Sequence, residues 1–201
     1  MTRSETTLPD IACEPGGVLL IGINPAPDSV AAGHYYQGRH GRRLWARLQR
    51  VGLLEDSQPG QEDGAFRRAG NGLTDLVKRP SSSASELSHD ELTAGVGRLR
   101  DKIRAWRPGL ILFAYRPPAE AVLADKTIEP GRGPDFEGVP TFLLTSPYAR
   151  RELTHQVDGQ LRAARTRLAR TPRASADDHA LPGARRRLAP HASPREGRRA
   201  C

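Results

Sequence analysis

The segment Val18-Leu19-Leu20-Ile21-Gly22-Ile23-Asn24-Pro25 predicts the centre of the fold. A short apolar run bounded by turn residues is typical of a strand that is buried on both faces of a parallel sheet. Proline cannot donate to a strand ladder and restricts the residue before it, so we expect the strand to end at Asn24. A polar amide then lies at the carboxyl edge of the sheet, where open α/β sheets bind ligands. From this segment alone, a plain turn asparagine explains Asn24 equally well.

The rest of the chain alternates between apolar runs and helical spacing. The runs at 110–115 and 139–144 predict two further strands, the shorter run at 72–77 a fourth, and Pro140 indicates a strand start or a sheet edge. Helices are expected over 44–51, from a capping box of Ser88 and Glu91 to before Pro108, and over 117–123 and 152–170. Residues 53–68 are expected to be irregular or weakly helical, and 125–138 a Gly/Pro-rich loop. This alternation predicts a three-layer α/β/α domain with a mostly parallel, four-stranded central sheet.

The positive charge is concentrated at the C-terminal end. Residues 162–201 hold eleven arginines against three carboxylates, which accounts for the whole net charge of +8. From Thr171 onward Pro, Ala, Arg and Ser dominate, a composition typical of disorder. We therefore divide the chain into an N-terminal arm (1–16), a folded domain (17–170) and a disordered Arg-rich tail (171–201). Any nucleic-acid contact of the folded domain must come from local clusters of basic residues.

Several classes of protein lack support in the sequence. There is no Gly-x-Gly-x-x-Gly after the first strand, no Walker lysine and no Gly-x-Ser-x-Gly elbow. Cys13 and Cys201 stand at opposite ends and the six histidines lack metal-ligand spacing, so neither a metal nor a cofactor is expected. No apolar run reaches the roughly 18 residues of a membrane span, and no signal peptide follows Met1. We expect a cytoplasmic protein without membrane contact.

The connection after the first strand is long, which indicates a functional loop. It carries Tyr35 and Tyr36 between glycines, and we expect at least one of these two adjacent rings to be outside the core. An exposed aromatic face near a polar site offers a stacking surface for a nucleic-acid base. If both rings instead pack internally, the loop is merely structural.

Three blocks together give the sequence a recognisable pattern. The first is Gly22-Ile23-Asn24-Pro25 with Gly33-His34-Tyr35-Tyr36 and Leu44-Trp45, the second spans residues 70–80, and the third spans 84–88 with Glu91-Leu92. In this order and spacing they resemble the mismatch-specific uracil/thymine DNA glycosylases, the Mug/TDG branch of the uracil-DNA glycosylase superfamily. The resemblance covers roughly residues 17–165. It implies a monomeric enzyme that flips a base out of DNA and hydrolyses its N-glycosidic bond.

The resemblance also assigns roles to individual residues. It implies that Asn24 orients the attacking water and that Tyr36 stacks on the flipped base. The remaining pocket residues that it implies are Gly22, Ile23, Pro25, Ser29 and Asn71. Apart from the resemblance, the basic residues Arg39, Arg42, Arg43 and Lys78 are our expected DNA contacts on this side, and a solvated helix face is the alternative for the three arginines. Asp28, the only carboxylate within four residues of Asn24, is an alternative water activator or a turn cap.

The loop from Thr145 to Arg151 matches the family's second motif, which enters the DNA helix. Here the family's Asn-Pro-Ser-Gly-Leu pattern is replaced by Thr-Ser-Pro-Tyr-Ala-Arg-Arg, and the expected DNA contacts are Ser146, Pro147, Tyr148, Ala149, Arg150 and Arg151. Two registers make either Tyr148 or Ala149 the wedge, and we prefer Tyr148 because wedges need bulk. The histidine of other branches is replaced by Leu144 or Thr145.

We therefore expect a DNA glycosylase that removes uracil from mismatches or single strands without a cofactor. A glycosylase for another damaged base, such as hypoxanthine or ethenocytosine, is the alternative within the fold. A module that binds damaged bases without cutting is the alternative from another class. Asn24 favours the enzyme, because a pure binder has no use for a water-positioning amide.

Overall fold

Five strands form one sheet in the computed structural model, which describes residues 7–170. The strands are β1 (Val18–Gly22), β2 (Gly72–Asp75), β3 (Leu110–Phe113), β4 (Gly131–Phe136) and β5 (Val139–Leu143). Their order is β2-β1-β3-β5-β4, in which the first four are parallel and β4 is antiparallel to β5. The predicted, mostly parallel α/β class is confirmed, with five strands in place of four.

Helices cover both faces of this sheet. They are α1 (Pro27–Ala32), α2 (Gly38–Arg50), α3 (Glu62–Arg68), α4 (His89–Trp106), α5 (Arg116–Leu123) and α6 (Arg151–Arg170). In β1, Val18 and Leu20 pack with α2, α3 and α6, whereas Leu19 and Ile21 pack with α4 and α5. Because alternate side chains of a strand point to opposite faces, β1 is buried on both. Among the helices of residues 7–170, none combines the length and apolar character of a bilayer span.

The strand β4 lies in a segment that the sequence predicts to be a loop, and that prediction is wrong for residues 131–136. Phe136 pairs with Val139 across a two-residue hairpin turn, in which Glu137 and Gly138 have φ angles of 51° and 75°. Positive φ at both central residues suits the twist of a hairpin. Pro140 is at the start of β5 but not at a sheet edge, since β5 lies between β3 and β4.

Several element boundaries differ from the predicted ones. The strand β1 ends at Gly22, two residues before Asn24, and α2 begins at Gly38, well before Leu44. The short helix α1 lies in the long loop, and α3 lies in the segment expected to be irregular or weakly helical. The capping box of α4 is confirmed, because Glu91 N donates to Ser88 Oγ (3.2 Å) and Ser88 N donates to Glu91 Oε2 (2.8 Å).

The described part of the predicted arm, residues 7–16, lies against the sheet. Leu8 is buried in the core, and Ile11 forms an antiparallel bridge with Leu73 of β2. Asp10 accepts a hydrogen bond from Thr74 Oγ1 at 2.8 Å. Residues 1–6 and the predicted Arg-rich tail, 171–201, lie outside the described residues, so the domain boundaries remain predictions.

Two glycines of α4 give a matched test of its packing. A Cβ on Gly95 would lie 2.4 Å from the backbone oxygen of Leu76, whereas a Cβ on Gly97 has nothing within 4 Å. We expect Gly95→Ala to lower the free energy of unfolding by about 1–3 kcal/mol through overpacking. Gly97→Ala should raise it by about 1 kcal/mol through helix propensity. Urea denaturation measures both, and equal effects of the two substitutions would contradict this packing.

Candidate active site

A cavity of about 160 Å³ opens at the carboxyl edge of the sheet. The register of β1 and β2 pairs Gly22 with Asp75, so the segment after β1 meets the end of β2 here. Six predicted pocket residues line the cavity: Gly22, Ile23, Asn24, Pro25, Ser29 and Tyr36. The lining residues that the sequence analysis did not assign to a pocket include Gln37, His40, Asp75 and Tyr115.

The amide of Asn24 is oriented by Ser81, a buried residue that the sequence analysis did not assign to the site. Asn24 Nδ2 donates to Ser81 Oγ (2.9 Å) and to the Ser81 carbonyl (3.2 Å). Ser81 Oγ in turn donates to the Ser83 carbonyl at 2.7 Å. Because its nitrogen is used in this way, the side-chain oxygen of Asn24 is the atom available to accept a hydrogen bond from water.

Asp75 is a site residue that the sequence analysis missed. Its side chain is buried at the end of β2, and a Cβ on Gly22 would lie 2.2 Å from its Oδ1. Its Oδ2 is buried without a hydrogen-bond partner among residues 7–170. Burial raises the pKa of the Asp75 carboxyl to about 7, with Lys78 and Lys102 opposing the shift and Asp10 adding to it. A buried carboxyl of this kind beside a cavity is typical of functional sites.

The loop that carries the two tyrosines is held by several hydrogen bonds. Tyr35 N donates to Asp63 Oδ2 (3.0 Å), and Gln37 N donates to Ser29 Oγ (3.1 Å). Tyr36 between them has a φ of 51°, a left-handed conformation that costs a non-glycine residue about 1–2 kcal/mol. Such strain persists where the surroundings fix it, and it is common at functional sites.

The two tyrosines have different environments, as expected. Tyr35 is buried, and its hydroxyl donates to the Pro9 carbonyl at 3.2 Å. Tyr36 is half-buried, and its ring lies 5.7 Å from that of Trp45 and 6.4 Å from that of Tyr115. Burial, together with the Asp75 carboxyl, raises the pKa of the Tyr36 hydroxyl, so this group stays neutral. Tyr36 therefore belongs to an aromatic wall of the cavity.

Asn71, Asp28 and Lys78 are among the predicted site residues that do not line this cavity. Asn71 lies at the opposite edge of the sheet, where its side chain accepts a hydrogen bond from Val18 N (3.0 Å) and donates one to the Leu53 carbonyl (2.8 Å). The prediction that Asn71 belongs to the pocket is therefore corrected: its role is structural. Asp28 is exposed in the first turn of α1 and does not line the cavity. Lys78 is held by Asp10 Oδ1 (2.9 Å) and by the Tyr35 hydroxyl (3.1 Å), which argues against a DNA contact.

The histidines near the site have separate environments. His34 Nδ1 lies 3.0 Å from Asp63 Oδ1, and its Nε2 lies 3.1 Å from Gln61. His40 is exposed on α2 and lines the cavity. Within residues 7–170, no group of three or more His, Cys, Asp or Glu side chains is placed to hold a metal ion.

The predicted DNA contacts beside the cavity are exposed. Arg39, Arg42 and Arg43 lie on the solvent side of α2. After β5, Tyr148 N donates to Ser146 Oγ (3.3 Å) and Ala149 N donates to the Ser146 carbonyl (3.0 Å), which forms a tight turn. Tyr148 projects from this turn with 80% of its surface exposed, while Ala149 is half-buried. The remaining predicted contacts, Pro147, Arg150 and Arg151, are exposed as well.

The raised pKa of Asp75 predicts a pH-dependent cost to stability. The pKa of Asp75 is about 7 in the folded protein against an ordinary value of 3.8. Between these two values the carboxyl is ionised in the unfolded chain but still protonated in the folded protein, so stability falls as the pH rises from about 4 to about 7. The cost is full above pH 7 and absent below about pH 4. We expect Asp75→Asn to raise the free energy of unfolding at pH 8 by about 2–4 kcal/mol, and by much less near pH 4. Urea denaturation at both pH values measures the difference.

Asp101 supplies the control, because its side chain is 79% exposed on α4. Asp101→Asn should change the stability little at either pH. The same gain from Asp75→Asn at pH 4 as at pH 8 would contradict a raised pKa in the folded state.

The sequence is similar to those of known uracil DNA glycosylases. The sequence matches the family described as the Uracil DNA glycosylase superfamily over residues 9–170. It is 32% identical over 108 residues to a G/U mismatch-specific uracil DNA glycosylase from Schizosaccharomyces pombe. The matched part covers 53% of this chain and 33% of that protein, so the chain spans about a third of the relative's length. The chain belongs to the uracil DNA glycosylase superfamily, a family of enzymes that hydrolyse N-glycosyl bonds.

Proposed function

We propose that this protein is a monofunctional DNA glycosylase that flips uracil out of G:U mismatches or single strands and leaves an abasic site for base-excision repair. The family match over most of the chain and the mismatch-specific relative support this proposal. The observation that carries it is the cavity that Asn24 and Asp75 both line, beside an aromatic wall. A cytoplasmic monomer remains our expectation.

Asn24 and Asp75 suffice to orient and activate the water for hydrolysis of the glycosidic bond. Water attacks C1′ of the deoxyribose, the C1′–N1 bond breaks, and its electron pair leaves with the uracil as an N1 anion. The Asn24 oxygen accepts a hydrogen bond from the water and orients it, a positioning effect. The ionised Asp75 carboxylate accepts the proton that the water loses. A pKa of about 7 suits a general base that works near neutral pH.

The aromatic wall suits a flipped base. Tyr36 and Tyr115 both line the cavity, and a base that enters it replaces stacking in the duplex with contacts to these rings. Flipping costs a few kcal/mol and is least costly for a mismatched or unpaired base. This balance favours mismatches and single strands over intact pairs.

The surface around the cavity suits DNA. Arg39, Arg42 and Arg43 on α2 supply positive charge for phosphates, and these contacts position the duplex without reading its sequence. On the other side, Tyr148 is the bulky exposed side chain of the turn after β5. We propose that it enters the duplex and fills the space that the flipped base leaves.

The first test compares three substitutions in the cavity and beside it. We expect Asn24→Ala and Asp75→Asn each to lower the rate of uracil excision by about 10²-fold or more, because each removes a group that acts on the water. Asp28→Asn should have nearly wild-type activity, because Asp28 is exposed outside the cavity. The measurement is alkaline cleavage of oligonucleotides that carry one uracil opposite guanine, opposite adenine or unpaired.

The pH profile separates two roles of Asp75. With a general base, the wild-type rate rises with pH through about 7 and levels off above it. A rate that falls through this range would instead make Asp75 an acid for the departing base.

The same assay separates the alternative functions. If the protein binds uracil-containing DNA without cutting it, hypoxanthine and ethenocytosine become the substrates to test. If the protein cuts neither of these, a binding module is favoured.

The second test addresses the wedge. Tyr148→Ala should lower excision from a G:U duplex by about tenfold and leave excision from single strands within about twofold, because only the duplex has a gap to fill. Ala149→Gly, one residue further along the same turn, is the control and should change both rates little. A larger effect of Ala149→Gly on the duplex would assign the wedge to Ala149.

A further inference from the structure

Arg47 is a buried cation that neither the sequence pattern nor the reaction accounts for. It lies in α2, and only 11% of its side chain is exposed. Its Nε donates to Asp158 Oδ1 in α6 at 2.7 Å, and its Nη1 donates to the Thr145 carbonyl at 3.0 Å. Thr145 is the last buried residue before the segment 146–150, so one guanidinium joins α2, α6 and the base of that segment.

Burying the Arg47 and Asp158 charges has a desolvation cost that a contact between apolar side chains would not have. Asp158 is 1% exposed, and burying two charges loses hydration that their attraction often only balances. Arg47 Nη2 is buried without a hydrogen-bond partner among residues 7–170. An apolar pair at the same place would fill the core without these costs. The bond to Thr145 is what an apolar pair cannot supply, because it needs a donor in a fixed position.

The position of Thr145 explains why the hydrogen bond from Arg47 to its carbonyl matters. The Thr145 side chain is buried, whereas Ser146, Pro147 and Tyr148 after it are exposed. The same helix α2 carries Arg39, Arg42 and Arg43 on its outer side. A rigid link at Thr145 therefore fixes the height and direction of the turn relative to the surface that faces the phosphates.

We propose that Arg47 is a positioning residue that holds the segment 146–150 in the orientation needed to enter duplex DNA. The proposal rests on the proposed glycosylase function for its catalytic readout. Arg47 touches neither the base pocket nor the reacting atoms. Its loss should therefore affect the use of a duplex more than the excision step itself.

Arg47→Lys is the informative variant, because lysine keeps a charge opposite Asp158 but lacks the planar fork that serves two partners. We expect its KM for a G:U duplex to rise about tenfold, while kcat on single-stranded uracil DNA stays within about twofold. Arg50→Lys is the matched control. Arg50 lies on the same helix 3.6 Å from the same Asp158, but its side chain is 55% exposed and it has no bond to Thr145.

A second readout does not depend on activity. Arg150 ends the segment 146–150 and Arg151 begins α6, so brief trypsin treatment followed by mass spectrometry reports how freely the segment moves. Cleavage after Arg150 should be about tenfold faster in Arg47→Lys than in the wild type or in Arg50→Lys, because a segment released from its anchor opens more often. Unchanged cleavage, or equal losses on duplex and single strands, would overturn the proposal.

Asp158→Asn keeps the test decisive if Arg47→Lys does not fold. It removes the buried charge pair but leaves the bond from Arg47 to the Thr145 carbonyl, so duplex KM and cleavage after Arg150 should stay near wild type. A rise in both would assign the effect to the charge pair and overturn the role of the Thr145 bond. If the wild type excises no uracil from any DNA, the proposed function fails, while the trypsin experiment still decides whether Arg47 holds the segment.

Discussion

The site depends on the pairing of β1 with β2, which sets Gly22 directly beside Asp75. A Cβ at Gly22 would lie 2.2 Å from Asp75 Oδ1 and 2.8 Å from the Tyr36 hydroxyl, so the absent side chain is what lets both groups approach the strand. The same register brings Ser81, which follows β2, to the amide of Asn24, which follows β1. A shift of the two strands by one residue would separate all of these groups at once.

Burial of the Asp75 carboxyl is a local loss of stability that the rest of the fold must offset. Lys78 and Lys102 lie near enough to favour its ionised form, but both are bound to Asp10, at 2.9 and 2.7 Å. The N-terminal segment thus neutralises the charges that would otherwise keep Asp75 ionised. A carboxyl group left between these influences can change its protonation state near neutral pH, which suits a proton acceptor better than a firmly paired carboxylate.

The sequence predicted the strands that are apolar and missed the features that depend on pairing. The run at 18–21 identified β1, and the Asn24-Pro25 turn identified the edge of the sheet that holds the site. The strand β4 was missed because its glycines and proline resemble a loop, and only its hairpin with β5 makes it a strand. Asp75 was missed for a related reason. It is a polar residue at the end of a short apolar run, and only the pairing of that run with β1 places it at the site. Asn71 was misplaced because a family block carries no information about which sheet edge each of its residues occupies.

Helix α2 supports both sides of the proposed DNA-binding surface. Through Trp45, whose Nε1 donates to the Tyr35 carbonyl at 3.3 Å, it fixes the loop that presents Tyr36 to the cavity. Through Arg47 it fixes the base of the turn that presents Tyr148. In the proposed mechanism, the aromatic wall that receives a base and the side chain that replaces it are thus both held by contacts to one helix in a close-packed interior. The proposal therefore links removal of the base from the stack and filling of the gap to the same structural element, α2.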